Sequence, residues 1–228
     1  MKVSVGIQQP NYFPWLGYFH KIKLSDSFVF LDTVDIQTRT ESSFTNRTRI
    51  KTKQGTQWLT VPIKKGNSKK IKDVIIDNIQ PWKQKHLNTL FHAYKKAPFF
   101  EDGYPVIQKL ILADFEKLSD FNIACITYIC NYLHLQTKIN RASEISIDET
   151  DKNLRLISIC KSQGGNIYLS GEGGKKYNDM NLFAEHHIKV NYVDFSVTSY
   201  HQLYGEFING LSIIDALFNC GNATEQFV

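Results

Sequence analysis

Short apolar runs alternate with amphipathic stretches along this chain. Val3 to Gln8 reads as a short strand, Trp15 to Leu24 as an amphipathic helix, and Ser27 to Asp32 as a second, nearly all-apolar strand. A strand that is apolar at successive positions suits burial on both faces of a parallel sheet, so the three segments predict a βαβ unit. The right-handed crossover of such a unit puts its first loop at the carboxyl edge of the sheet.

Residues 35–77 change character. Segments 44–52, 57–63 and 71–77 read as antiparallel strands joined by turns at Lys53-Gln54-Gly55-Thr56 and Lys64-Lys65-Gly66-Asn67-Ser68, which predicts a β-hairpin insertion. A helical segment over 82–135 follows, with helices expected at 82–96, 104–117 and 119–133. Ser119 is a candidate N-cap for the last of these, and Asp120 in its first turn complements the macrodipole. The α/β rhythm then returns over 136–228, with strands at 138–141, 166–170 and 189–195 and helices at 151–163, 180–187 and 211–218. Five parallel strands alternating with helices predict a Rossmann-like three-layer α/β sandwich, carried by one domain spanning 1–228.

Composition narrows the class. The chain has 228 residues, 42% of them hydrophobic, enough to bury a full core. No run reaches the roughly 18 apolar residues of a membrane helix. Met1 to Gly6 leads into a strand pattern and not a signal peptide, so the expectation is a soluble, cytoplasmic protein without membrane insertion. Cys125, Cys130, Cys160 and Cys220 lie among apolar neighbours without CxxC pairing or histidines at ligand spacing, and read as buried thiols. No HExxH, GxSxG or DxD-type motif is present, so metal-dependent chemistry is disfavoured and no metal is expected. Lys and Arg outnumber Asp and Glu by 27 to 22. The excess is concentrated around Lys64, Lys65, Lys69, Lys70 and Lys72, where a solvated hairpin tip is the simplest reading. Nucleic acid is disfavoured as a partner because +5 is modest and no aromatics interleave with that run.

Candidate chemistry sits in four places. The loop from Gln8 to Tyr18 packs two prolines, four aromatics and three carboxamides directly after a strand. Gln8, Gln9 and Asn11 are suited to reading hydroxyls, and Tyr12, Trp15 and Tyr18 to stacking on a sugar or base. The second loop, Ser170-Gly171-Glu172-Gly173-Gly174-Lys175-Lys176-Tyr177, also follows a strand. Its glycines allow close approach of an anion, and Ser170, Gly171 and Tyr177 join the candidate substrate contacts. In the insertion, Arg47, Arg49 and Lys51 fall on one face of a strand, with Arg47 and Lys51 candidates to grip phosphate. Near the C-terminus, His201 and Asp215 are the available acid/base candidates. Ser212 with Asp215 also fits a capped helix start, and Gly221 its end.

These residues resemble the WbqC-like family, found with bacterial surface-polysaccharide and O-antigen gene sets. The likeness rests on Gln8 through Phe19, Asn46-Arg47, Trp58 through Ile63, Tyr168-Leu169-Ser170-Gly171 with Tyr177, and Leu211 through Asp215 leading to Asn219-Cys220-Gly221. His201 departs from the Tyr-Pro-Gln form expected there. The resemblance implies a role near sugar modification or glycan assembly and supplies no catalytic residues. A second resemblance is to nucleotidylyltransferases and pantothenate-type ligases of the HxGH class. Trp15-Leu16-Gly17-Tyr18 occupies the place of that motif with neither histidine present, which implies nucleotide or activated-acyl binding without the usual adenylyl transfer. The expected function is therefore a metal-independent transferase modifying a nucleotide-linked sugar with an acyl, aminoacyl or glycosyl group. The donor, which is a nucleotide or an activated acyl or aminoacyl compound, and any homo-oligomer stay open. The alternative is a non-catalytic module that binds nucleotide sugars or glycans within an assembly complex.

Overall fold

β1 (Ser4–Gln8) buries Val5 and Ile7 on one face of a sheet, while Gly6 on the other face leaves no room for a side chain. A Cβ at Gly6 would lie 2.3 Å from Ser25 Oγ and 2.8 Å from the Phe28 ring. In the computed structural model, which describes residues 2–38, 43–66 and 69–228, this strand is the centre of a five-stranded parallel sheet. β2 (Ser27–Phe30) is buried at all four positions, Phe28 and Phe30 on one face and Val29 on the other, as its unbroken apolar run required. The remaining strands are β5 (Lys138–Arg141), β6 (Ile167–Gly171) and β7 (Lys189–Val193), and the spatial order is β5-β2-β1-β6-β7.

Helices cover both faces. α1 (Leu16–Lys23) contributes Tyr18, Phe19 and Ile22 to the larger apolar cluster, together with α2 (Trp82–Tyr94), α3 (Phe100–Leu112), α4 (Leu118–Tyr132) and α7 (Ile213–Cys220). α5 (Lys152–Ser162) and α6 (Met180–Glu185) cover the opposite face with Leu156, Ile159 and Phe183. Asp151 and Asp179 cap these two helices, each carboxylate accepting from two backbone amides of the first turn. This is the expected Rossmann-like three-layer sandwich. Because the chain moves outward from β1 to β2 and β5 and then returns to β6 and β7, strand order reverses between β1 and β6, where such sheets open a crevice at their carboxyl ends.

The insertion departs from the sequence reading. β3 (Arg47–Thr52) and β4 (Gly55–Thr60) form a two-stranded antiparallel hairpin, but the third strand expected at 71–77 is absent. Ile71–Asp73 is a single 3₁₀ turn. Its amides are drawn to the exit of β2, Ile71 N donating to Val34 O (3.0 Å) and Lys72 N to Asp32 O (2.9 Å), and Ile75 and Ile76 make only isolated bridges. Asn67 and Ser68, the tip of the expected lysine-rich turn, lie outside the described residues. α3 begins at Phe100 and not at residue 104, with Glu101 and Asp102 in its first turn and Pro105 within it. Ser119 is no N-cap: that position is Lys117, and Ser119 is buried one turn-residue inside the helix. Ser212 does cap α7 by accepting from Ile214 N, and Gly221 ends it with φ +55. Three cysteines are buried, whereas Cys220 is half-buried. No described helix is long and apolar enough to cross a membrane.

Candidate functional site

A cleft of about 800 Å³ opens where the strand order reverses. Its floor comes from Ile7 and Gln8 at the end of β1, Lys21 of α1 and Tyr168 of β6. The opening loop supplies one wall through Gln9, Asn11, Pro14 and Trp15, and the glycine loop supplies the other through Gly171, Gly173, Gly174 and Tyr177. A Cβ placed on Gly171 or Gly173 would meet nothing within 4 Å, so backbone there is open to close approach. Gly174 has a different reason, since its Cβ would collide with Ser170 Oγ at 2.1 Å.

The opening loop is rigid because half of it faces inward. Tyr12 and Tyr18 are fully buried: the Tyr12 hydroxyl meets His86 Nδ1 at 2.9 Å, and Tyr18 donates to Gln9 O at 2.9 Å. The expectation that these two rings stack on a ligand is therefore corrected, and their aromatic surface packs instead against Phe13, Phe121 and Phe28. Phe13 holds a left-handed backbone at φ +37, a conformation costly for a bulky residue. Its carbonyl accepts from Thr48 Oγ1 (3.0 Å) and Ser212 Oγ (2.8 Å), which fixes the turn between the hairpin and α7. Asn122 donates to Pro10 O (2.9 Å) and Thr45 O (2.7 Å) from below. Trp15 leans over Gly17, where a Cβ would sit 2.4 Å from the indole, and packs edge-on against Phe195. Of the loop's candidates, Gln8, Gln9, Asn11 and Trp15 line the cleft.

The basic stripe keeps its common face, but the face is occupied. The Arg47 guanidinium lies 4.0 Å from the Trp58 ring and donates to Ser43 O, and Arg49 lies 5.7 Å from the same ring. Lys51 is buried, donating to Gln202 Oε1 (3.3 Å) and to the carbonyls of Gly205 and Glu206. Neither Arg47 nor Lys51 lines the cleft. Asp215 is fully buried, and its two oxygens accept from Tyr94 (2.8 Å) and Tyr200 (2.7 Å). Burial raises its pKa, opposed by the tyrosine hydrogen bonds and by Lys51. His201 is exposed between Tyr200 and the buried Gln202, which holds Ile208 N and O. The structure thus separates both acid/base candidates from the cleft. Ser170 is buried beneath the glycine loop, while Gly171 and Tyr177 reach the cleft.

Of the charged groups that do line it, sequence reasoning singled out Lys70, within the lysine-rich turn, and passed over the rest. Lys21, Lys70, Lys152 and Arg155 are cationic, and Asp35, paired with Lys70 at 2.8 Å, is the acidic lining residue. Lys152 lies 5.7 Å from the Tyr177 ring, and Arg155 is held by the carbonyls of Glu149 and Thr150. Lys21 Nζ donates to Ile7 O at 2.7 Å and to Gln8 Oε1 at 3.3 Å. Desolvation lowers its pKa to about 7. No group of three His, Cys, Asp or Glu side chains converges among the described residues.

Fold and cleft together define a doubly wound α/β protein with a basic, amide-lined crevice at its switch point. The chain belongs to the WbqC-like protein family, whose profile matches residues 9–227. It is 35% identical over 229 residues to an uncharacterized protein of Mycobacterium tuberculosis, an alignment covering 99% of this chain and 97% of that relative. No solved structure matches the chain.

Proposed function

We propose that this protein is a cytoplasmic transferase acting on a nucleotide-linked sugar in bacterial surface-glycan biosynthesis, moving a small acyl, aminoacyl or glycosyl group. The observation that carries the reading is the switch-point cleft, where basic side chains, open glycine backbone and carboxamides meet at one sheet edge. A diphosphate has a counter-charge in Lys152 and Arg155 and close backbone approach at Gly171 and Gly173. The exposed Tyr177 ring and the flank of Trp15 offer stacking surfaces for a base or sugar, and Gln8, Gln9 and Asn11 offer neutral hydrogen-bonding groups for hydroxyls. Catalysis on this reading comes from positioning and from cations stabilising charge that develops on the leaving phosphate.

One observation favours a second reading, a non-catalytic nucleotide-sugar or glycan-binding module. Asp215 and His201 stand away from the cleft, and its carboxylate, Asp35, is engaged with Lys70. A thermal-shift screen against nucleotide sugars, nucleotides and acyl or aminoacyl donors, with product analysis of every hit, separates the two. The transferase reading expects a nucleotide sugar among the hits and a modified sugar once the matching donor is added. Binding without product across all donors leaves the module, and no shift with any nucleotide sugar rejects the transferase reading and confines the module to glycans.

A further inference from the structure

Lys21 is the most unusual charged group at the cleft. The side chain is 4% exposed, yet none of the ion pairs among the described residues includes it. Its two acceptors are neutral, the Ile7 carbonyl and the Gln8 side-chain oxygen. The groups packed against it from other elements supply no negative charge either. Tyr168 of β6 lies with its ring 6.0 Å from Nζ, and burial raises the pKa of that phenol. Cys160 of α5 is a buried thiol pushed up to about 12, so it is uncharged near neutrality. Across the cleft stand Lys152, Arg155 and the Lys70–Asp35 pair, and Lys23 and His20 flank it on its own helix. A buried ammonium whose surroundings are cations, neutral groups and a carboxylate already paired with Lys70 is costly, and an anion entering beside it offsets that cost.

We infer that the cleft takes up its anionic ligand together with a proton, Lys21 becoming the ammonium counterion of the bound phosphate groups. The inference deepens the nucleotide-sugar reading and rests on it for the identity of the ligand. Without ligand, Lys21 is divided between amine and ammonium near neutral pH; with an anion at the floor of the cleft, the ammonium form wins. Since an anion binds the protonated state better, linkage requires that binding draw in the proton and that affinity fall as pH rises. Above the pKa of the empty site the fall approaches tenfold per pH unit, and it flattens below that pKa.

The test is calorimetry on the full chain with two probes whose charge is constant between pH 6 and 8: UDP-glucose, a diphosphate diester, and inorganic sulfate, each against a chloride control of equal ionic strength. Buffers of different ionisation enthalpy report proton uptake directly. The expected result at pH 8 is uptake approaching one proton per anion, absent in Lys21→Met, with affinity independent of pH in Lys21→Arg. Sulfate binding with proton uptake but no UDP-glucose binding supports the role of Lys21 and rejects the nucleotide-sugar reading. Binding of UDP-glucose without proton uptake keeps that reading and overturns the inference. Failure of both anions to bind also overturns it. The wild-type uptake needs no variant, so misfolding of either substitution leaves the test intact.

Discussion

Two buried polar clusters, about equally hidden, differ in what surrounds them. Beneath α7, Asp215 is held by Tyr94 and Tyr200, and Lys51 by Gln202 and two carbonyls, so these groups already have partners within the protein. At the switch point, Lys21 borders an open cleft with two neutral acceptors of its own, while the cleft's carboxylate, Asp35, is paired with Lys70. The difference teaches that burial of an ionisable group does not by itself mark a functional site. A group satisfied by the protein fixes structure, as Asp215 and Lys51 pin the 200–210 segment against the hairpin. A group whose charge faces a cavity leaves its compensation to a ligand.

The sharpest way to break this contrast is Asp215→Ala. It removes the acceptor of the buried Tyr94 hydroxyl and of the half-buried Tyr200 hydroxyl and leaves Lys51 without a nearby negative charge, so unfolding free energy should fall by about 3–5 kcal/mol. Urea denaturation reads this, and anion affinity of the remaining folded protein should hold. A stability loss below 1 kcal/mol would mean the cluster is not structural.

Lys21 predicts a smaller effect per pH unit, with a definite sign. Its pKa is lowered in the folded chain from 10.5 to about 7, so between those values the unfolded state binds more protons and stability rises with pH. Wild type should gain on Lys21→Met by about 1.4 kcal/mol per pH unit from pH 7 towards pH 10. Parallel stability curves for the two chains would count against a desolvated amine.

At the cleft rim, Lys152→Ala should weaken UDP-glucose binding about tenfold, the loss of one charge-assisted contact, while stability stays within about 0.5 kcal/mol. Equal affinity in both chains would remove Lys152 from the phosphate site. His201→Ala is the smallest case. An exposed loop residue beside two anchored ones should change stability by under about 0.5 kcal/mol and leave the turnover expected of the proposed transferase intact. A large loss of turnover, measured by product formation, would restore it as an acid or base.

The parallel strands were legible because β1 and β2 carry apolar runs that only a sheet covered on both faces can bury. The candidate loops were legible because glycines, prolines and carboxamides cluster after strands. Orientation was not: Tyr12 and Trp15 are both aromatic residues of one loop, and the left-handed Phe13 between them sends one ring into the core and leaves the other at the cleft. The 71–77 strand was misread because its buried apolar residues, Ile71, Val74 and Ile76, pack from a 3₁₀ turn stapled to the end of β2 and the segment after it. Lys21 was missed since His20, Lys21 and Lys23 look like a solvated helix end. The available signal was position, because Lys21 follows Gly17 by one turn and precedes Ile22 in the buried stripe of α1.

The central claim, that the switch-point cleft and not the α7 cluster or the β3 stripe receives the anion, is tested most directly by locating selenate, a heavy-atom stand-in for a phosphoryl group, from its anomalous signal in crystals. The account predicts selenate within hydrogen-bonding distance of Lys21 Nζ, Lys152 or Arg155. Selenate bound instead at Arg47 and Lys51, with the cleft empty, would contradict it.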